Sequence, residues 1–174
     1  RIFKVGELLL FQQKINLQQL QGALYQQTSK LQANRQDSMK SVQAEQKKVF
    51  NGPDGSEYEI HYIGFTSTFL DPDVAKQYDI VRSRALGVIN ISVIKVEQDG
   101  SRKAVGAVLQ TKMTNDIQQN QFLSFQQIIE GPAIYYLAQL QFREGEVLTF
   151  DVSAYPEGSV KPLQFRFVQN FYND

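Results

Sequence analysis

The sequence contains no cysteine, no tryptophan and a single histidine among its 174 residues. The lack of cysteine excludes disulfides, thiol chemistry and cysteine-ligated zinc or iron–sulfur sites. No apolar run approaches the roughly 18 residues that a membrane-spanning helix needs, so we expect no membrane span. One histidine without a nucleophile motif offers no catalytic constellation, and we predict that the protein is not an enzyme.

Motifs for phosphate and metal binding are also missing. Gly52 and Gly55 lie in a turn that does not lead from a strand to a helix, as a phosphate-binding loop requires. Asp71, Asp73 and Asp79 lack the glycine of a calcium loop, and helix capping explains the first of them. We therefore expect no cofactor and no metal.

The composition changes sharply near residue 50. Residues 1–48 contain eleven Gln and carry a net charge of +5, from eight Lys/Arg and three Asp/Glu, whereas residues 49–174 carry −5, from ten and fifteen. The turn-forming run 51–56 marks the boundary. We predict a helical extension or linker over 1–48 and a separate domain over 49–174. The basic residues are scattered, which argues against nucleic-acid binding.

Residues 49–174 alternate apolar and polar side chains with the period of two that is typical of β-strands. The pattern predicts seven antiparallel strands and one short helix that begins at Asp71 and Pro72. A mainly β, seven-stranded, immunoglobulin-like sandwich is the expected fold, with a partly open barrel as the alternative. A shift of phase at Val168, before Phe171, predicts a bulge in the last strand.

Seven residues are candidates for a binding site. The lone histidine lies within the first strand beside a tyrosine, and two arginines enter the central strand, either at the sheet rim or paired with a glutamate. Adjacent tyrosines on a strand face opposite sides, so we expect one of the pair at 135–136 in the core and the other at the surface. The candidates are His61, Tyr62, Arg82, Arg84, Glu130, Tyr135 and Tyr136.

A series of short segments in the second part stands in a fixed order: Tyr58–Tyr62, Ser67–Leu70, Val74–Tyr78, Arg82–Ser83, Ile89–Val93, Ile128–Gly131, Ala133–Tyr136 and Phe171–Tyr172. Together these segments resemble a bacterial envelope family, the domain of unknown function 4426, over about residues 56–172. The chain departs from that family at Ile63 and Gly64, where a polar residue and alanine are common. Family members look like small exported proteins of proteobacteria, so the resemblance implies a periplasmic location and assigns no function.

The first part resembles a different family. Lys4–Leu9, with Leu20, Leu24 and Gln27, is similar to one motif in the N-terminal domain of type II secretion and type IV pilus ATPases. Tandem copies of that motif bind cyclic dimeric GMP in the family. Here a second copy is missing and Lys4 stands where the family has arginine.

We predict a non-enzymatic binding or assembly module of the bacterial cell envelope, whose protein partner contacts exposed aromatic residues or a sheet edge. Two alternatives stay open. One is a receptor for a small ligand or cyclic dimeric GMP, and the other is an enzyme of unfamiliar type that uses His61 with Tyr62, Arg82 or Glu130. The sequence leaves the partner and the oligomeric state open.

Overall fold

The computed structural model describes residues 45–173. They form ten β-strands and one α-helix, where the sequence predicts seven strands and one helix. The helix, α1, spans Pro72–Gln77. The strands are β1 Gln46–Asn51, β2 Glu57–Thr66, β3 Leu86–Val96, β4 Arg102–Ala104, β5 Ala107–Thr114, β6 Asn120–Phe122, β7 Gln126–Glu130, β8 Ala133–Gln141, β9 Val147–Pro156 and β10 Leu163–Asn170.

The strands form two antiparallel sheets that pack against each other. Sheet A has the order β1-β2-β3-β8-β7, with β4 also paired to β3, and sheet B has the order β10-β9-β5-β6. Within residues 45–173 neither sheet closes on itself. The mainly β sandwich is therefore confirmed, and the barrel alternative is wrong.

The main core lies between the sheets and takes every second side chain of their strands. Tyr58, Ile60 and Tyr62 of β2 all point into it, as the alternation predicts. The rings of Phe150 and Phe167 stack there with centroids 4.7 Å apart. Each large apolar side chain that is fully buried contributes about 1.5–3 kcal/mol, so this layer is the main source of stability.

A second, smaller core lies on the outer face of sheet A, the face turned away from sheet B. The segment between β2 and β3 covers Ile63 and Phe65 there, and α1 buries Val74 and Ala75 together with Tyr78, which follows it. These three residues form the apolar side of the helical segment. Within residues 45–173 no helix is long and apolar enough to cross a membrane.

The start of the helix matches the prediction only in part. Pro72 occupies the first turn as expected. The side chain of Asp71 makes no capping hydrogen bond, so the predicted role of its carboxylate as the cap is wrong. The turn is instead closed by the backbone, because the Asp71 carbonyl accepts a hydrogen bond from the Ala75 N–H at 3.0 Å.

Three features of the structure explain why it has ten strands where the sequence predicts seven. Strand β1 begins at Gln46, ahead of the predicted boundary between residues 48 and 49, and the turn at 51–56 joins it to β2 as a hairpin. The chain leaves sheet A after β4 and enters sheet B at β5. Residues 120–130 then form two short strands, β6 in sheet B and β7 in sheet A. The predicted extension over 1–48 otherwise lies outside the described residues.

The last strand keeps its register along its whole length, so the predicted bulge at Val168 is wrong. Gln169 takes the inward position between Phe167 and Phe171 and is buried. A Cβ at Gly64 would lie 2.6 Å from the Gln169 amide, so the missing side chain at Gly64 leaves room for this polar group. Because the inward residue Gln169 is polar, the alternation of apolar and polar residues is interrupted there, and the interruption resembles a bulge.

Gly87 offers a test of how tightly the main core is packed. A Cβ at Gly87 would lie 2.8 Å from the ring of Phe171, which is fully buried and stacks on Phe142. We expect Gly87→Ala to lower the free energy of unfolding by about 1–3 kcal/mol, because a confined ring has to move. Urea unfolding measures this change.

Gly106→Ala is the matched control for this variant. The nearest atom to a Cβ at Gly106 is 3.4 Å away and belongs to the side chain of Glu157. This replacement should change the free energy of unfolding by less than about 0.5 kcal/mol. Equal effects of the two replacements would contradict the close approach of Phe171 to Gly87.

Candidate functional site

Four charged side chains lie in a line on the outer face of sheet A, and we call them the charge chain: Glu45, His61, Glu59 and Arg102. His61 Nδ1 lies 3.1 Å from Glu45 Oε1, and His61 Nε2 lies 3.0 Å from Glu59 Oε1. Arg102 Nη2 lies 2.8 Å from the same Glu59 oxygen. Glu59 and His61 share a face because they are two residues apart on β2. Glu45 is the residue directly before β1, and Arg102 is the first residue of β4.

His61 is held between two carboxylates. A carboxylate oxygen only accepts hydrogen bonds, so both ring nitrogens can donate only when the imidazole is protonated. The hydrogen bond to Glu45, assisted by the one to Glu59, raises the pKa of His61 above its ordinary value of 6.5, while partial burial opposes the rise. The arrangement therefore suits the imidazolium form.

Glu59 is a buried carboxylate, with only 8% of its surface exposed. The hydrogen bond from Arg102 is the main cause that lowers the pKa of Glu59 from 4.5 to about 2, and the bond to His61 acts in the same direction. Burial opposes this shift, while the charge of Lys47, which faces His61 across the β1–β2 pair, adds to it. Glu59 is therefore ionised at neutral pH and lies between Arg102 and His61.

Arg102 also lines a cleft between β4 and the turn that joins β7 to β8. The cleft has a volume of about 480 Å³, and its charged lining residues are the cations Arg102 and Lys103. Ile129 in its wall is 61% exposed, so apolar surface opens directly to solvent. The apolar walls are formed by Ile94, Ala104, Ile129, Pro132, Ala133 and Ile134.

Strand β4 has a neighbour on one side only. It pairs with β3 and, within residues 45–173, with no other strand. The flanking bonds to β3 run from the Glu97 N–H to the Ser101 carbonyl and from the Val105 N–H to the Val93 carbonyl. Backbone groups alternate between the two sides of a strand, so those of residues 102 and 104 point away from β3. The free edge of β4 thus borders the cleft.

The predicted tyrosines do not form a surface site. Tyr62 lies in the main core, where its ring centroid is 4.5 Å from that of Phe167. Tyr135 and Tyr136 face opposite sides of sheet A, as predicted, but both are buried. The expectation that one of them is exposed is therefore wrong, because the segment around α1 covers the outer face at Tyr135.

The hydroxyl groups of these two tyrosines have different surroundings. The Tyr136 oxygen accepts hydrogen bonds from the Ala107 N–H and from Gln127 Nε2, both at 2.8 Å, at the point where the chain passes to sheet B. Burial raises the pKa of Tyr135 to about 12, and the negative charge of Glu45 adds to this rise. Tyr135 thus lies near the charge chain, whereas Tyr136 braces the crossing between the sheets.

The remaining candidates lie apart from the charge chain. Arg82 donates to the carbonyl oxygens of Leu70 and Thr68, at 2.8 and 3.0 Å, and fastens the loop before β3. Arg84 is exposed in that loop, and Glu130 ends β7. His61 and Tyr62 point to opposite faces of sheet A, so these two side chains do not meet in one pocket.

Three members of the charge chain were not predicted. The spacing of Glu59 and His61 on one strand was a visible signal, since residues two apart share a face. Glu45 and Arg102 carry no such signal, because their positions depend on how β1 and β4 pair. Among the described residues, no three His, Asp or Glu side chains are grouped so that they could hold a metal ion.

The chain is similar to a family and to solved structures. The family model described as "Domain of unknown function (DUF4426)" matches residues 54–174. The crystal structure of a DUF4426 family protein from Pseudomonas aeruginosa PAO1 is 30% identical, with a TM-score of 0.58 over 74% of this chain and 96% of that one. A comparison with curated proteins found no match.

Two structures of FetP from a uropathogenic Escherichia coli strain share the fold at low identity. The first, of FetP recombinantly expressed in the E. coli periplasm, is 10% identical, with a TM-score of 0.50 over 75% of this chain and 97% of that one. The second, of a copper-bound single-residue variant, is 11% identical, with a TM-score of 0.51 over 76% and 100%. The ATPase likeness of residues 4–27 has no support from these comparisons and lies outside the described residues.

The lowered pKa of Glu59 predicts a loss of stability in acid. A carboxyl group whose pKa is lower in the folded state stabilises the fold above its unfolded pKa of 4.5, and this contribution is lost as the pH falls towards 2. We expect the loss of this contribution to lower the free energy of unfolding by about 1–2 kcal/mol from about pH 6 to about pH 3. Solvent partly screens the interaction of Arg102 with Glu59, because Arg102 is half-exposed. Urea unfolding at the two pH values should show that Glu59→Gln removes this part of the decrease.

Glu57→Gln is the control, because Glu57 is an exposed carboxylate on the same strand and face. That variant should keep the acid sensitivity of the parent protein. A Glu59→Gln protein with the parent pH dependence would show that the Arg102–Glu59 contact does not hold the carboxylate ionised.

Proposed function

The chain belongs to the DUF4426 family, and from that premise we propose that it is a non-enzymatic binding module of the bacterial cell envelope. We propose that it binds an extended segment of a partner protein. This segment pairs with the free edge of β4 and places an apolar side chain in the adjoining cleft. The proposal is carried by one observation, the position of the β4 edge directly beside the apolar cleft.

Addition of a strand to a sheet edge is a recurring way to bind an extended segment. Main-chain hydrogen bonds supply affinity, and pockets for alternate side chains supply specificity. In this protein the backbone groups of Arg102 and Ala104 can form the main-chain hydrogen bonds, and the cleft is the pocket for a side chain. The cations at residues 102 and 103 favour a segment that carries a carboxylate next to its apolar anchor.

The opposite edge of sheet A is less suited to this role. Strand β1 carries Lys47 and Lys48, both exposed. Lysine on an edge strand is a common device that prevents pairing with another chain. Strand β4 also carries two exposed cations, Arg102 and Lys103, but its edge borders an apolar cleft, so we take this edge as the better docking place.

The surroundings of His61 support a role other than catalysis. A general base needs a free lone pair within reach of its substrate. Both ring nitrogens of His61 are occupied by carboxylates, and the protonated ring has no lone pair to offer. We therefore keep the proposal that the protein is not an enzyme.

The envelope location is supported by likeness alone. The FetP structure with the same fold comes from protein that was expressed in the periplasm. We do not extend copper binding from the FetP variant to this chain, since the described residues contain no group of three metal-binding side chains. The cyclic dimeric GMP alternative depends on residues 4–27, outside the described part, and stays a prediction.

Site-specific photo-cross-linking in bacterial cells tests the binding site. A benzoylphenylalanine at position 103 of the full chain, where the exposed side chain of Lys103 borders the cleft, should cross-link to a partner protein, and the same group at position 85 should not. Ala85 is exposed and lies before β3, at the end opposite to the cleft. Mass spectrometry then locates the cross-linked segment, which we expect to be extended and apolar, and that segment is synthesised as a peptide.

Fluorescence anisotropy with this peptide completes the test. We expect Ala104→Leu, which fills the cleft, to weaken binding at least about tenfold, a loss of about 1.4 kcal/mol. Ala85→Leu should bind like the parent protein. Equal cross-linking at the two positions, or equal peptide affinity of the two leucine variants, would overturn the proposed site.

A further inference from the structure

The two carboxylates beside His61 are both hydrogen-bond acceptors, and a neutral imidazole has only one N–H to donate. Each ring nitrogen of His61 lies within 3.1 Å of a carboxylate oxygen. A neutral imidazole has one N–H and one lone pair, so either tautomer turns a lone pair towards one of the two carboxylates. Loss of one proton therefore converts one of these two contacts from attraction to repulsion.

The contact to Glu45 is the one that has to yield. Glu59 is buried and is held by Arg102 at 2.8 Å, so its carboxylate stays in place whatever the charge of His61. The side chain of Glu45 is 43% exposed and can turn into water. A neutral His61 thus retains its hydrogen bond to Glu59 and releases Glu45.

Strand β1 is the element that this release affects. Glu45 directly precedes it, and the first pairs of β1 join Gln46 to Tyr62 and Lys47 to His61 itself. Sheet A ends at β1, so in the described part of the chain its backbone is held from the β2 side alone. The ion pair at Glu45, the residue directly before β1, therefore contributes to the attachment of the strand.

We propose that His61 is a pH-sensitive latch, which fastens the start of β1 to sheet A through Glu45 when it is protonated and releases it when it is neutral. The latch closes at low pH and opens as the pH rises through the pKa of His61 in the folded protein. It acts at β1, so it can be measured on the protein without a partner bound beside β4.

The charges around His61 are consistent with a latch that closes at low pH and opens as the pH rises. Two carboxylates contact its ring directly, while the nearby cations do not. Lys47 faces it across the β1–β2 pair and is exposed, and Arg102 is bonded to Glu59. On β8, Tyr135 is neutral at physiological pH, and burial raises its pKa further above that range. The titratable and charged groups that surround His61 are Glu45, Lys47, Glu59, Arg102 and Tyr135.

Proton NMR can follow this latch without interference, because the chain has one histidine. We expect the ring protons of His61 to titrate with a midpoint above 6.5, the ordinary value. Glu45→Gln should lower the midpoint, since it removes the charge while keeping the shape. Glu97→Gln is the control, because that carboxylate pairs with Lys95 and should leave the midpoint unchanged.

Amide hydrogen exchange measures the opening itself. After correction for intrinsic rates, the protection of the paired amides of residues 46 and 48 should fall by about two- to fivefold when His61 loses its proton, the range expected for an exposed ion pair. In Glu45→Gln this protection should change little with pH, because the glutamine amide can accept from the protonated ring or donate to the neutral one. A His61 midpoint at or below 6.5, or protection that does not change with pH, would overturn the latch and leave the binding site beside β4 unaffected.

Discussion

The outer face of sheet A is covered along only part of its length, and both candidate sites follow from this constraint. The outward side chains of β2 change along the strand from Glu57, Glu59 and His61 to Ile63 and Phe65. The segment around α1 is long enough to cover the apolar end alone. The charged end has to be solvated or paired, because a buried charge without a partner destabilises a fold by several kcal/mol.

The pairing that results joins parts of the chain that are distant in sequence. Glu59 is too buried to rely on water, and it takes its partners from β2 itself and from β4. Arg102 can reach it because β4 lies beside β3 and its side chain crosses that strand on the outer face. The same arginine faces the cleft, so one side chain connects the charge chain with the free edge of β4.

The sequence was sufficient for the class of the fold and for its main core. Alternation correctly placed Tyr58, Ile60 and Tyr62 on one face, because the first inward positions of β2 are all apolar in character. It failed where a polar residue occupies an inward position, as Gln169 does, and where an exposed edge strand has no alternation at all, as in β1.

The candidate site was predicted only at its centre. His61 was identified because it is the lone histidine, but Tyr62 was grouped with it although neighbours on a strand face opposite sides. Arg102 and Glu45 could not be predicted, since their contacts with β2 depend on the register of the β3–β4 pair and of the β1–β2 pair. Local pattern determines the face on which a side chain lies, and register determines which other side chain it meets there.

Asn90 shows that the boundary between the two halves of the outer face is costly. It lies between Ile63 and Leu137 in the register of sheet A, one row from His61, and is only 4% exposed. Its Oδ1 atom has no hydrogen-bond partner among the described residues. An unpaired buried oxygen costs about 1–3 kcal/mol, which the apolar core between the sheets has to offset. Stability is thus concentrated between the sheets, and the outer face of sheet A carries this unpaired oxygen as well as the charge chain.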